Sequence, residues 1–292
     1  MDRTKFLGAS EAGAVLGLSP YRSPFKVWQE KTGQIVPDPP GIPMRAGNAL
    51  ESLVLDLFSE QTGKTVGDRQ AEFADKSNPF LVCHVDGLAE DAVIEAKTTG
   101  SDHGWGKEGT DEIPRVYLAQ VVMQMYLSGA KMAWVPVLIG REDFRIYKVE
   151  RDEELENLII PRLVDFWQNH VIPVIPPDSM TLEDVRERFG REEIGIKEAT
   201  EEVAQACFRL EDLKRDIKTL EEEKEKCEVL ILGSMGTAAE LTYNGRVLAT
   251  WKSQTTKRLN TARLKELYPE AVEACTGETE SRVFRLKKSK EK

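Results

Sequence analysis

No stretch of the 292 residues approaches the ~18 to 20 uninterrupted apolar residues that a bilayer span requires, and the opening MDRTKFLGAS lacks the apolar core of a secretory signal. Cysteine is sparse as well. Cys83, Cys207, Cys227 and Cys275 contain no CxxC pair, so zinc and iron–sulfur sites lack their usual spacing and reduced, buried thiols are the simplest reading. Internal repeats and low-complexity tracts are absent. These absences lead to the expectation of a soluble, cytoplasmic protein with no membrane partner.

Basic charge is also in deficit. Forty Lys and Arg stand against fifty Asp and Glu, a net charge of −10, which is the reverse of proteins that coat nucleic acid by displacing counterions. An enzyme that gathers carboxylates around a divalent metal stays open. The charge is unevenly spread: residues 1–176 carry a net −8, residues 177–240 another −8, and residues 241–292 a net +6.

Pro173, Pro176 and Pro177 punctuate the chain where helix cannot easily continue, which divides it into domains 1–177 and 178–292. Upstream, helical and strand-like patterns alternate. Residues 50, 53, 54, 57 and 58 form one apolar helical face within 44–61, and Gly63 supplies a stop. Segments 80–87 and 92–97 read as neighbouring strands, 113–128 as a helix, 134–139 and 144–149 as strands, and 152–170 as a closing helix. The expected fold class is therefore α/β (α+β). Downstream, residues 203, 206, 210, 213, 217, 220, 224, 227 and 231 form a heptad-like seam interrupted only by Lys224. Asn244-Gly245 between alternating strands then signals a β-hairpin.

The sharpest chemical pattern is Asp86-Gly87 followed by Glu95-Ala96-Lys97. Alternation along a strand puts Glu95 and Lys97 on one face, and strand pairing can bring Asp86 beside them. Two hard carboxylates hold Mg²⁺, the metal polarises a phosphodiester and acidifies its water, and a lysine orients that water or neutralises developing charge. The competing reading is an exposed hairpin with a surface ion pair. Glu51 emerges beside the apolar stripe of its helix, where an unpaired charge is costly. Tyr117, Gln120 and Gln124 share a helical face, which suits either a polar site wall or a solvated surface.

At these residues the chain resembles the YqaJ-type viral recombinases, the lambda-exonuclease-like family of PD-(D/E)xK nucleases. The resemblance runs from about Arg3 to Pro177, through LGAS-EAGAVLGLSPYRSP, AGNALESLVLDLFSEQTG, HVDGL, VIEAKTTG and YLAQ, in that order. It implies a PD-(D/E)xK core, a central mixed sheet flanked by helices, followed here by a long helix and a hairpin module. It further implies that Asp86, Glu95 and the Ala96 carbonyl hold Mg²⁺, with Mn²⁺ as a substitute, and that Glu51 completes the site directly or through water. Lys97 would act on the nucleophilic water and Gln120 would position water or the scissile phosphate. Arg3 and Ser10 match positions that bind a phosphate of the DNA end, with Arg22 and Gln124 as further phosphate candidates. Ser10 also reads as an N-cap. Relatives often carry a second Gln where this chain has Val122.

The activity implied is 5′-to-3′ exonucleolysis of double-stranded DNA ends in phage or prophage recombination, by a homo-oligomer that hands single strands to an annealing protein. A structure-specific or nicking endonuclease and a non-catalytic DNA-end-binding module remain as alternatives. The glycine-rich segment Thr99–Glu112 reads as a mobile loop beside the site, with Trp105 either stacking on a base or packing beneath its own loop. The basic C-terminal segment, which includes Arg246, Lys252, Lys257, Arg258, Tyr243 and Trp251, suits non-specific DNA contact or a small packed module with a basic rim.

Overall fold

The structure, a computed structural model, describes residues 2–37, 39, 41–178, 181–191, 195–278 and 281–287. It separates into two compact units, residues 1–188 and 189–292. The first ends eleven residues beyond the proline cluster because helix α6 (Leu182–Arg188) packs back on α2 (Pro24–Lys31). Ser23 Oγ donates to the buried Asp184 carboxylate at 2.7 Å, and Gln29 Nε2 donates to Glu187 at 2.7 Å.

Two sheets meet in this unit. A small sheet has the order β1 (Leu7–Gly8), β3 (Leu81–Val85), β2 (Ala71–Ala74), with β1 parallel and β2 antiparallel to β3. The larger, mixed sheet is built on β7 (Met132–Ile139), an eight-residue strand buried along most of its length. Along one side, β8 (Asp143–Glu150) pairs antiparallel over the full length of β7. Along the other lie β5 (Ala92–Ile94) and then β6 (Lys97–Thr99), both parallel to β7. Ile94 pairs with Trp134 and Lys97 with Val137, so the register continues across the gap. The two segments are one strand broken at Glu95-Ala96. β4 (Gly87–Ala89) pairs with β5 at the edge.

Helices cover the sheets. α3 (Ile42–Thr62) ends at Gly63, which takes the left-handed conformation with φ 71°. It buries Val54, Leu55 and Phe58, the last two in a cluster with Ile94 and Ile146. α4 (Arg115–Ser128) is apolar nearly all round, as a helix enclosed by the core should be. α1 (Ala12–Val15) crosses it so closely that a Cβ on Gly13 would lie 2.5 Å from Val116. α5 (Glu153–Phe166) starts at Asp152, whose carboxylate accepts the Glu154 and Leu155 N–H groups, and it completes the main core through Ile159, Ile160, Leu163 and Phe166.

Segment 99–112 is folded, in contrast to the mobile loop expected. Trp105 is 7 % exposed and packs 5.7 Å from the Tyr117 ring and 5.2 Å from the Tyr147 ring. Tyr147 Oη donates to the Gly106 carbonyl, and the Gly109 and Lys148 N–H groups join the loop to β8. An indole with that much apolar area gains more from burial than from waiting in solvent.

The second unit holds α7 (Glu201–Met235), capped by Thr200, and a hairpin of β9 (Glu240–Tyr243) and β10 (Arg246–Thr250). Asn244 and Gly245 form its turn with φ of 49° and 78°, the two positive values that this dipeptide supplies. Short helices α8 (Thr261–Leu267) and α9 (Pro269–Ala274) follow. Among the described residues of this unit only Met235 is buried.

Candidate active site

The site forms at the break in the β5–β6 strand. Asp86 stands where the chain leaves β3 and enters β4, so it passes from one sheet to the other at that residue. Its N–H donates to the Ile94 carbonyl at 3.1 Å, and its Oδ2 accepts the Ala96 N–H at 2.8 Å. The carboxylate thus takes a backbone donor at the interruption of the strand. Gly87 is required beside it, since a Cβ there would lie 2.4 Å from Val66 Cγ1.

Glu95 is 4 % exposed and both its oxygens are held. Oε1 accepts from Lys97 Nζ and from Gln120 Nε2, each at 2.5 Å, and Oε2 accepts from Gln124 Nε2 at 2.5 Å. Gln120 and Gln124 are one helical turn apart on α4, so their amides lie one above the other and close on the carboxylate from the same side. Lys97 Nζ also donates to Gln120 Oε1 at 3.1 Å and lies 4.9 Å from the centre of the Tyr117 ring. The Trp105 loop therefore braces the face that holds the lysine.

Glu51 comes from α3, one turn after Gly47, where a Cβ would lie 3.3 Å from Thr98 Oγ1. That close approach of α3 to β6 turns the Glu51 face toward the break. Glu51 is half-buried, and its Oε1 accepts from Gln70 Nε2 at 2.9 Å.

The charges are unbalanced, with three carboxylates against one ammonium. Burial, then the Glu95 carboxylate and in lesser part Glu51, push Asp86 up to about 8, while Lys97 and the Ala96 N–H act in the opposite direction. Burial opposes the Lys97 ammonium, but Glu95 and Asp86 outweigh it and hold the lysine above its ordinary value. Hard oxygen donors with surplus negative charge suit a divalent cation such as Mg²⁺ in chemistry. Their arrangement is pre-engaged, since Glu95 is taken by Lys97 and the two glutamines and Glu51 by Gln70. Among the described residues no three His, Cys, Asp or Glu side chains gather closely enough to enclose a metal ion.

The phosphate candidates fall elsewhere or behave differently. Gln124 has no exposed surface; its Nε2 donates to the His84 carbonyl as well as to Glu95, so it serves the carboxylate from below and offers nothing to a phosphate. Arg22 is spent on two carboxylates, Glu11 at 3.1 Å and Glu30. Glu11 also pairs with the buried Lys31 at 2.6 Å and accepts the Gly8 N–H at 2.9 Å. The N-terminal turn is therefore capped at Gly8 by Glu11, and Ser10, read as the cap, is exposed. Arg3 is exposed, with its carbonyl accepting from Lys31 Nζ at 2.7 Å. Sequence patterns gave no sign of Gln70, which reaches Glu51 from a loop position of positive φ, 61°.

The site therefore sits in a mixed sheet flanked by helices. The chain is similar to the alkaline exonuclease LHK-Exo of Laribacter hongkongensis, at 18 % identity and a TM-score of 0.49 over 64 % of this chain and 94 % of that one. With LHK-Exo in complex with dAMP the TM-score is 0.50, at 17 % identity and the same coverage. The family profile of the YqaJ-like viral recombinase domain matches residues 1–131. The uncharacterized protein YqaJ of Bacillus subtilis (strain 168) is 30 % identical over 300 residues, covering 98 % of this chain and 92 % of that protein. The chain belongs to the YqaJ-like viral recombinase family.

Proposed function

We propose that this protein is a Mg²⁺-dependent deoxyribonuclease, a 5′-to-3′ exonuclease that resects double-stranded DNA ends in recombination. One observation carries the reading: the broken strand at Glu95-Ala96 gathers Asp86, Glu95, Lys97 and Gln120, with Glu51 facing them from α3. A carboxylate excess at a break in a sheet, buried at a cost, has little structural value and suits a site that handles a cation and a phosphate. Membership in a viral recombinase family and a fold shared with an alkaline exonuclease agree with it.

Asp86, Glu95, Glu51 and the Ala96 carbonyl would hold the metal. When bound, that metal supplies Lewis-acid polarisation of the phosphodiester and a more acidic water. Lys97, kept as an ammonium by its carboxylate neighbours, orients the attacking oxygen and offsets charge on the phosphate. Gln120 fixes the Lys97 ammonium and one Glu95 oxygen together. Arg3 and Ser10, exposed at the N-terminal turn, take a terminal phosphate of the DNA. Polarity, Mn²⁺ as a substitute, a homo-oligomeric state and an annealing-protein partner follow from the family resemblance.

The experiment uses linear and covalently closed circular duplexes with Mg²⁺. Loss of the linear form alone, abolished by EDTA and lowered about 10²-fold or more by Lys97→Ala, is the expected result. Degradation of the closed circle identifies an endonuclease. Retention of linear ends without hydrolysis leaves a binding module, and undiminished activity in Lys97→Ala removes the assigned mechanism.

A further inference from the structure

Helix α7 carries an apolar seam that the described chain does not cover. In heptad terms Val203, Leu210, Ile217, Lys224 and Ile231 occupy one core position, a, and Ala206, Leu213, Leu220 and Cys227 the other, d. Ile217 is 54 % exposed and Leu220 62 %, in mid-helix, and Leu210 is half-buried. A 35-residue helix is about 52 Å long. Its seam and flanking positions offer about twenty residues, the size of one side of a standard stable interface.

We propose that α7 pairs with α7 of a second copy of this chain, antiparallel and centred near residue 215. The flanking charges decide the orientation. In a parallel, in-register pair, Arg209 would face Lys214, Asp216 would face Glu221, and Glu223 would face Glu228, each twice and each between like charges. In the antiparallel pair the seam closes in matched layers. Leu210 meets Leu220 of the second copy, Leu213 meets Ile217, and Val203 meets Cys227. Lys224, the one break in the seam, falls opposite Ala206, the smallest residue in it. Arg209 then meets Glu223 of the second copy twice, along one edge of the dimer. Among the described residues neither Arg209 nor Glu223 has an ion-pair partner of its own. Like charges meet only at the axis, where Lys214 and Asp216 each face their own copy.

This pairing does not depend on the nuclease reading. Sedimentation equilibrium of the full chain against Leu213→Glu/Ile217→Glu tests it, because both residues are exposed and lie outside the first unit. Association weakened at least tenfold, with the unfolding midpoint of the first unit unchanged, is expected. Association that ignores the double substitution, or a wild-type chain that stays monomeric at tens of micromolar, overturns the pairing. Orientation is read by cross-linking in a Cys207→Ser/Cys227→Ser/Cys275→Ser background, which leaves only the buried Cys83. Mixing Leu210→Cys with Leu220→Cys chains gives a disulfide-linked pair that neither gives alone. Cross-linking of either single variant with itself indicates a parallel helix pair and overturns the arrangement.

Discussion

Gln124 donates to Glu95 Oε2 at 2.5 Å from a position with no exposed surface, while Gln120, one turn earlier, holds Oε1 of the same carboxylate at 2.5 Å. The two amides fix the rotation of Glu95. Gln124 uses both its N–H groups, on Glu95 and on the His84 carbonyl, so its amide orientation is set by its acceptors.

Gln124→Leu keeps the volume of the side chain and removes the donor. A buried carboxylate oxygen is then left short of a partner, at a cost of about 1–3 kcal/mol in stability. The Glu95 side chain also gains freedom to turn. The expected signature is a higher Mg²⁺ concentration for half-maximal activity, with the KM for DNA unchanged, measured by metal titration at fixed duplex. A variant that loses stability but keeps the wild-type metal dependence would show that Gln124 only fills space.

Trp105 anchors the loop through Tyr117 and Tyr147, and Tyr117 in turn carries its ring 4.9 Å from Lys97 Nζ. Trp105→Ala should cost about 3–5 kcal/mol in urea unfolding, as expected for a large aromatic removed from a packed core. Limited proteolysis gives a second readout. The wild-type segment 99–112 should resist cleavage, and the variant should be cut there first.

Buried Glu11 and Lys31, with the half-buried Arg22, form a small charge network beneath the N-terminal turn. Lys31→Met leaves Glu11 with Arg22 and the Gly8 N–H, but removes the ammonium from Glu11 Oε2 and the donor to the Arg3 carbonyl. It should therefore destabilise by about 1–3 kcal/mol, whereas Lys5→Met, at an exposed pair with Asp2, should change stability by less than about 1 kcal/mol.

Cys83 is buried in β3, and that burial pushes its thiol up to about 12, while Cys227 and Cys275 are exposed. The unfolded thiol titrates near 9, so between about 9 and 12 the unfolded state releases a proton that the folded state keeps. Stability must then fall as pH rises through that window. Cys83→Ala should flatten the decline measured by urea unfolding between about pH 8.5 and about pH 10.5. Iodoacetamide at about pH 8 should modify Cys275 in the native protein and reach Cys83 only after denaturation.

The parts of the site legible in the sequence are those with short-range causes. Strand alternation put Glu95 and Lys97 together, and the apolar stripe of α3 placed Glu51. The Asn244-Gly245 turn needed only two residues. What was hidden depends on contacts between distant segments. Residues 92–97 read as one strand, but the Ala96 N–H turns to Asp86 and the strand is interrupted where the chemistry lies. Ser10 has the composition of a cap, yet Glu11 performs the capping because Lys31, twenty residues later, fixes it there. Trp105 had no local signal for burial, since its partners lie on α4 and β8. The packing of α6 on α2, which carries the first unit past the proline cluster, rests on Ser23 and Gln29 meeting Asp184 and Glu187 across more than 150 positions.

The basic C-terminal segment gives the last prediction. Arg246, Arg258 and Arg263 are exposed, as are Tyr243 and Trp251 on the hairpin, while the chain as a whole carries −10. If these cations meet DNA phosphates, each contact releases counterions and contributes about 0.9 to the slope of log affinity against log salt. Replacing all three with Gln in the full chain should weaken duplex binding at low salt and reduce that slope by about 2 to 3. The substitutions lie outside the unit that holds Asp86, Glu95 and Lys97, so the rate on a short duplex at saturating concentration should stay at the wild-type level. An unchanged salt slope across a fluorescence-anisotropy series would mean that the basic segment is a solvated rim, and that DNA is held by the first unit alone.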